Sequence, residues 1–186
     1  MTTETTAPVL DARALPVDDF TASDLARIHL AQDLLQALWV AEGALLTLGE
    51  DTAVAGDYVA QALSLQSSVA AGVIPAAVIA ERVRGTSWER IGKAFRLSAE
   101  EAEAKWGQGV EDWQSQTKVQ SLLRRNPAYD LGRVDEYAAT GRTSRRFDGR
   151  QPLIQVLDVA APQTGRDVQA ADQAFAGTAT CTHCHR

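Results

Sequence analysis

A mostly α-helical protein is predicted by three features of the 186-residue sequence. Apolar residues recur at alternating spacings of three and four, Ser and Thr stand three residues ahead of Glu at two successive positions, and Gly and Pro punctuate the periodic stretches. The expected order is a mobile leader over 1–20, a helical domain over 21–115, a basic and partly helical extension over 116–160, and a flexible tail over 161–186. Composition agrees with a globular chain: 45 % of residues are hydrophobic and 23 % charged, near the average for folded domains.

The first long helix is predicted from Thr21, with Thr21 or Ser23 as its cap. Ala31, Leu34, Leu38, Ala41, Leu45 and Leu48 form its apolar stripe, which Leu35, Trp39 and Leu46 widen. Gly49 is the expected stop. A second period, Val54, Tyr58, Ala62, Leu65 and Val69, follows after so short a turn that the two helices should pack antiparallel. Gly72 is expected to end this second helix, and Pro75 to open a third as a first-turn residue.

Three short helices are then predicted over 75–84, 87–95 and from Ser98 onward. Capping boxes are read at Thr86-x-x-Glu89 and Ser98-x-x-Glu101. Trp88, Ile91, Phe95, Leu97, Ala102 and Trp106 are the expected core of this stretch. Further on, short helices are read over 116–125, with Asn126-Pro127 as its end, and over 130–139. Residues 141–152 read as an Arg-rich loop, and 153–159 as either a strand or a packing segment.

The segment Ser87-Trp-Glu-Arg-Ile-Gly-Lys-Ala-Phe-Arg-Leu-Ser-Ala-Glu-Glu-Ala-Glu-Ala-Lys-Trp106 resembles the helix-turn-helix of small bacterial DNA-binding proteins, close to the sigma-factor region 4 type. That resemblance covers about 20 residues strongly and about 60 weakly, says nothing about 117–186, and implies a helix-turn-helix core within 75–113. Joined to the periodic stretches, the expected architecture is a long antiparallel helix pair leading into that core, with a less ordered C-terminal extension. It also implies duplex DNA as partner and a role in transcriptional control. Where recognition helices usually carry Arg, Gln, Asn, Ser or Thr, this one carries Ala99, Glu100, Glu103 and Ala104, with Lys105 alone basic. Arg96 replaces the small residue common in the turn. A protein-interaction or dimerisation module that reuses these helices without binding DNA is therefore the alternative, with Trp39 and the leucine stripe as its contact surface.

Net charge is -6, distributed as ten acids and two bases over 1–60 against seven acids and ten bases over 117–186. Any phosphate contacts must come from the motif and the back of the chain. The candidate contact residues are Arg90, Lys93, Arg96, Ser98 and Lys105 on the motif, and Arg142, Arg145, Arg146 and Arg150 in the extension. Arg82 and Arg84 stand beside the motif and add to the local positive charge. The bland reading of 142–150 is a solvated linker, since Asp130, Asp135, Glu136 and Asp148 are interleaved.

Cys181 and Cys184, the chain's two cysteines, are followed by His185. Their spacing suits half of a tetrahedral zinc site with His185 as third ligand, completed by another copy or a partner; an unstructured tail is the other reading. Haem attachment and redox chemistry lack the export signal or βαβ setting they require. No phosphate-cradling Gly loop or nucleophile elbow is present, and His29 near Asp33 reads as a surface pair, so no enzyme is expected. The sequence also predicts no membrane span, because the apolar stretch over 69–80 is interrupted by Gly72 and Pro75. Without a basic-then-apolar N-terminal signal, a cytoplasmic location is the expectation.

Overall fold

A computed structural model describes residues 15–47, 54–115, 127–139 and 153–177. Helix accounts for 85 % of the described residues and no strand occurs among them, which establishes a mostly α protein. In chain order the α-helices are α1 (Ala22–Thr47), α2 (Asp57–Ser68), α3 (Ile74–Val83), α4 (Trp88–Phe95), α5 (Ala99–Gln114), α6 (Pro127–Ala139), α7 (Ala161–Thr164) and α8 (Val168–Gly177). Short 3-10 turns lie at Val17–Asp19, Leu153–Val156 and Asp158–Ala160.

Thr21 is the cap of α1, since its hydroxyl accepts from the Asp24 N–H while its own N–H donates back to the Asp24 carboxylate, both at 3.1 Å. This reciprocal pair satisfies two donors that a helix start leaves open. The leader is folded from Leu15: Phe20 is buried and Leu15 packs against the core, so the expected mobile segment shrinks at its C-terminal side. Residues 1–14 lie outside the described residues.

Gly72 does not stop the second helix. A π turn at Val69–Val73 joins α2 to α3, giving one helical rod over Asp57–Val83 with Pro75 accepted in the first turn of α3. The extra residue of a π turn lets the rod change phase without breaking. A rod of 27 residues is long and apolar enough, by length and composition alone, to cross a membrane. That revises the premise that Gly72 and Pro75 interrupt it, although Ala76, Val78, Ile79 and Ala80 of this rod are buried in the protein core.

Two helix ends use the same device. At the end of α3 the Thr86 N–H reaches Glu81 O and Gly85 N–H reaches Arg82 O, with Gly85 at φ 92°. At the end of α4 the Leu97 N–H reaches Gly92 O and the Arg96 N–H reaches Lys93 O, with Arg96 at φ 59°. Each is a Schellman closure, which needs a left-handed residue. The cap of α4 is Ser87, whose hydroxyl accepts from the Arg90 N–H. This corrects the capping box expected at Thr86 and Glu89: Thr86 is buried and donates its hydroxyl to Glu81 at 2.6 Å. The box at Ser98 and Glu101 is present in both directions.

One core joins both ends of the chain. Leu25 and Ile28 of α1, Val78 and Ile79 of α3, and Trp106, Val110 and Trp113 of α5 pack with Leu131, Ile154, Leu157 and Val159 from the C-terminal part. The extension expected to be loosely ordered thus supplies some of the most buried side chains. Residues 153–160 settle as a packing segment of 3-10 turns, not a strand, and the helix expected over 130–139 begins earlier, at Pro127. Residues 161–177, expected as part of a flexible tail, carry α7 and α8, with Arg84 tying α8 down through Asp172 at 3.1 Å. The helix expected over 116–125 and the stop at Gly49 lie outside the described residues.

Candidate nucleic-acid interface

Three residues separate α4 from α5, and the two helices are pressed together at Gly92. A Cβ at Gly92 would sit 2.7 Å from both the Leu97 and Ser98 carbonyl oxygens. Those atoms are backbone and cannot swing aside. Ala is the better helix former by about 1 kcal/mol, yet Gly92→Ala should destabilise the protein by about 1–3 kcal/mol because overpacking against the turn outweighs propensity. Urea unfolding of the variant checks this, and a gain in stability would mean the turn is looser than described.

Ala102, Trp106, Val110 and Trp113 seat α5 inward, and Phe95 rests on Trp106 with ring centroids 4.5 Å apart. Of the expected core of this stretch, Ile91, Ala102 and Trp106 are buried, Trp88 and Leu97 are partly buried, and Phe95 is 38 % exposed. The opposite face of α5 carries Glu100, Glu103, Lys105 and Glu111, all exposed. Hydrogen bonds from its own backbone and from Ser98 hold the Glu100 carboxyl below the ordinary value, so it is ionised at neutral pH. Carboxylates in this position repel phosphates, and a Glu can accept only from a cytosine amino group in the major groove.

The bases around the motif divide into two sets. Lys93, Arg96 and Lys105 are exposed, as is Ser98, whose hydroxyl is taken up by the cap; Arg90 is half-buried. Lys105 lies over the Trp106 ring at 4.8 Å. Arg82 and Arg84 are committed to structure instead. Arg82 donates to the Thr86 carbonyl and lies 4.7 Å over the Trp88 ring, while Arg84 pairs with Asp172. Sequence alone places all five arginines and lysines in 82–96 together; only the fold separates them. Arg142, Arg145, Arg146 and Arg150 lie outside the described residues, as do Cys181, Cys184 and His185.

A second concavity of about 440 Å³ lies between α1 and α6, lined by His29, Asp33, Trp39, Tyr129 and Arg133. Its groups engage one another: His29 and Asp33 are 3.5 Å apart, and the Arg133 guanidinium covers Trp39 at 4.6 Å. Among the described residues no three His, Cys, Asp or Glu side chains converge as a metal cradle. No family model, curated protein or solved structure matches this chain.

Proposed function

We propose that the protein binds duplex DNA in transcriptional control, with α4 and α5 as a helix-turn-helix and phosphate contacts from the turn. The observation that carries this reading is Arg96. It is the one non-glycine residue with positive φ among the described residues, it is exposed, and it occupies the left-handed closing position of α4. Holding an L-residue there costs roughly 1–2 kcal/mol, and glycine would relieve it. A guanidinium kept at that cost on the outer edge of the turn, next to exposed Lys93, is positioned to meet a phosphate rather than to stabilise the fold. Arg90 and Lys105 flank it, and the arginines at 142, 145, 146 and 150 add to the electrostatic contribution.

The test reads two opposite signs from one substitution. Arg96→Gly should raise stability by about 1 kcal/mol while weakening duplex binding and lowering the salt slope by about 0.9 for the lost contact. Lys93→Ala should lower the slope similarly. Random-sequence duplex titrated across a salt series supplies both numbers. The second reading, an interaction module that does not touch DNA, is favoured by the exposed acidic face of α5, and an absence of duplex binding at low salt would leave it standing.

A further inference from the structure

We infer that the α1–α2 hairpin is a dimerisation face, and that its occupant is the same face of a second copy of this chain. Leu34 and Leu45, at two positions of the leucine stripe of α1, do not face the core. Leu34 is 50 % and Leu45 67 % exposed, while the buried positions of α1 are Asp24, Leu25, Ala26, Ile28, Leu35 and Ala37. On α2 no residue is buried at all. Leu45 and Ala41 on α1 line one groove with Tyr58, Ala62 and Leu65 on α2. Asp33 lies beside Gly72 at the other end of the pair, so the two helices run in opposite directions.

The two rows match in spacing. Leu34, Leu38, Ala41 and Leu45 follow steps of four, three and four, and so do Tyr58, Ala62, Leu65 and Val69. Two antiparallel helices that each present such a row on a shared side form half of a four-helix bundle. A two-fold axis through the groove would set the α1 row of one copy against the α2 row of the other, and a self-complementary face of this kind closes without leaving an edge.

Charge and area select a second copy over other occupants. Although residues 1–60 hold ten acids, no charged residue occurs between Asp57 and Glu81 or between Asp33 and Glu42. Glu42 itself accepts from the Tyr137 hydroxyl at 3.1 Å, toward α6. Two such faces meet without opposing like charges, which would otherwise dominate between acidic chains. With roughly 100 Å² for a free aliphatic side chain and 200 Å² for Tyr, the two rows leave on the order of 400 Å² of apolar surface. A stable homodimer needs about 800 Å² per partner, roughly 65 % of it apolar. Val59 and Leu63, exposed on the adjoining row of α2, supply the remainder. A bilayer is the poorer partner, because Gln61, Ser64, Gln66, Ser67 and Ser68 interrupt α2 and the α3 end of the rod is packed in the core.

The experiment is light scattering and sedimentation of the full chain over a concentration series, without DNA, so that its outcome is separate from the DNA-binding reading. The wild type should have twice the 20.0 kDa chain mass. Leu45→Glu with Ala62→Glu should weaken association at least about 100-fold, since burying unpaired like charges costs several kcal/mol, with helical circular dichroism retained. Glu103→Gln, on the far face, should change nothing. Should the double variant fail to fold, Leu45→Cys in a Cys181→Ser, Cys184→Ser background, treated with a short bis-maleimide, should give a covalent dimer. A monomeric wild type, a dimer that survives both glutamates, an absence of cross-linking, or recovery of monomer on neutral phosphatidylcholine vesicles would each overturn the inference.

Discussion

Replacing Trp113 by Ala should lower the unfolding free energy by about 3–5 kcal/mol, the range for truncating a buried aromatic. Trp113 is 1 % exposed in the last turns of α5, where helices from both halves of the chain meet. Its indole is stacked on the His29 ring of α1, with centroids 5.3 Å apart and planes 6° from parallel. Removing it takes away apolar burial and the stacking contact together, and α1 and α5 are too constrained by their other contacts to close the gap. Trp88, at the start of α4, is only partly buried and leans on Arg82. Trp88→Ala should therefore cost distinctly less. Parallel denaturant titrations of the two variants check the ranking; equal losses would place the core boundary at α4 and not at α5.

That ranking differs from the one the sequence suggests, and the reason is geometric. The spacing of Trp88, Ile91, Phe95, Ala102 and Trp106 identifies which side of each short helix is apolar, and the cap at Ser98 marks where α5 begins, whereas the α4 cap lies at Ser87, one residue past the Thr86 that the pattern indicates. Period alone does not say what lies opposite. Phe95 and Leu34 sit in periodic apolar rows as regular as that of Ile91, yet both are exposed because no described element covers them. Gly72 fails as a stop signal because it was read by local propensity, whereas a π turn absorbed it, and α6 begins three residues ahead of Asp130 because Pro127 falls in a first turn, where its missing N–H costs nothing. The C-terminal segment was least legible. Its docking depends on two carboxylates that bond distant backbone, Asp135 across 18 and 19 residues and Asp24 across more than a hundred, and no local pattern encodes such pairs.

The most consequential of these carboxylates is Asp24, and Asp24→Ala should cost about 3 kcal/mol or more, since two buried N–H groups lose their acceptor at about 1–3 kcal/mol each. Asp24 is fully buried and accepts from the Asp158 and Val159 N–H groups, 134 and 135 residues away, as well as from Thr21. It holds the C-terminal 3-10 turns onto the start of α1, while Arg27 donates to the Val156 carbonyl at 2.6 Å beside it. Burial pushes the Asp24 carboxyl above its ordinary value of 3.8, outweighing the N–H bonds that lower it, and the neighbouring Asp158 charge adds to the rise. Burial raises Asp135 in the same way, although it accepts from the Leu153 and Ile154 N–H groups. A folded-state pKa above the unfolded one means the native protein binds more protons in the interval between them, so stability from these groups is fully present below 3.8 and lost as pH rises through the folded value. Asp24→Asn removes one such contribution and leaves the Asp158–Arg166 and Asp172–Arg84 pairs in place. Its deficit relative to wild type should therefore grow as pH is lowered from 7 toward 4, even while both proteins lose stability through those ion pairs. Guanidinium titrations of the two proteins at three pH values measure the difference directly. A deficit that shrinks on acidification would show that the N–H bonds, and not burial, govern the Asp24 proton.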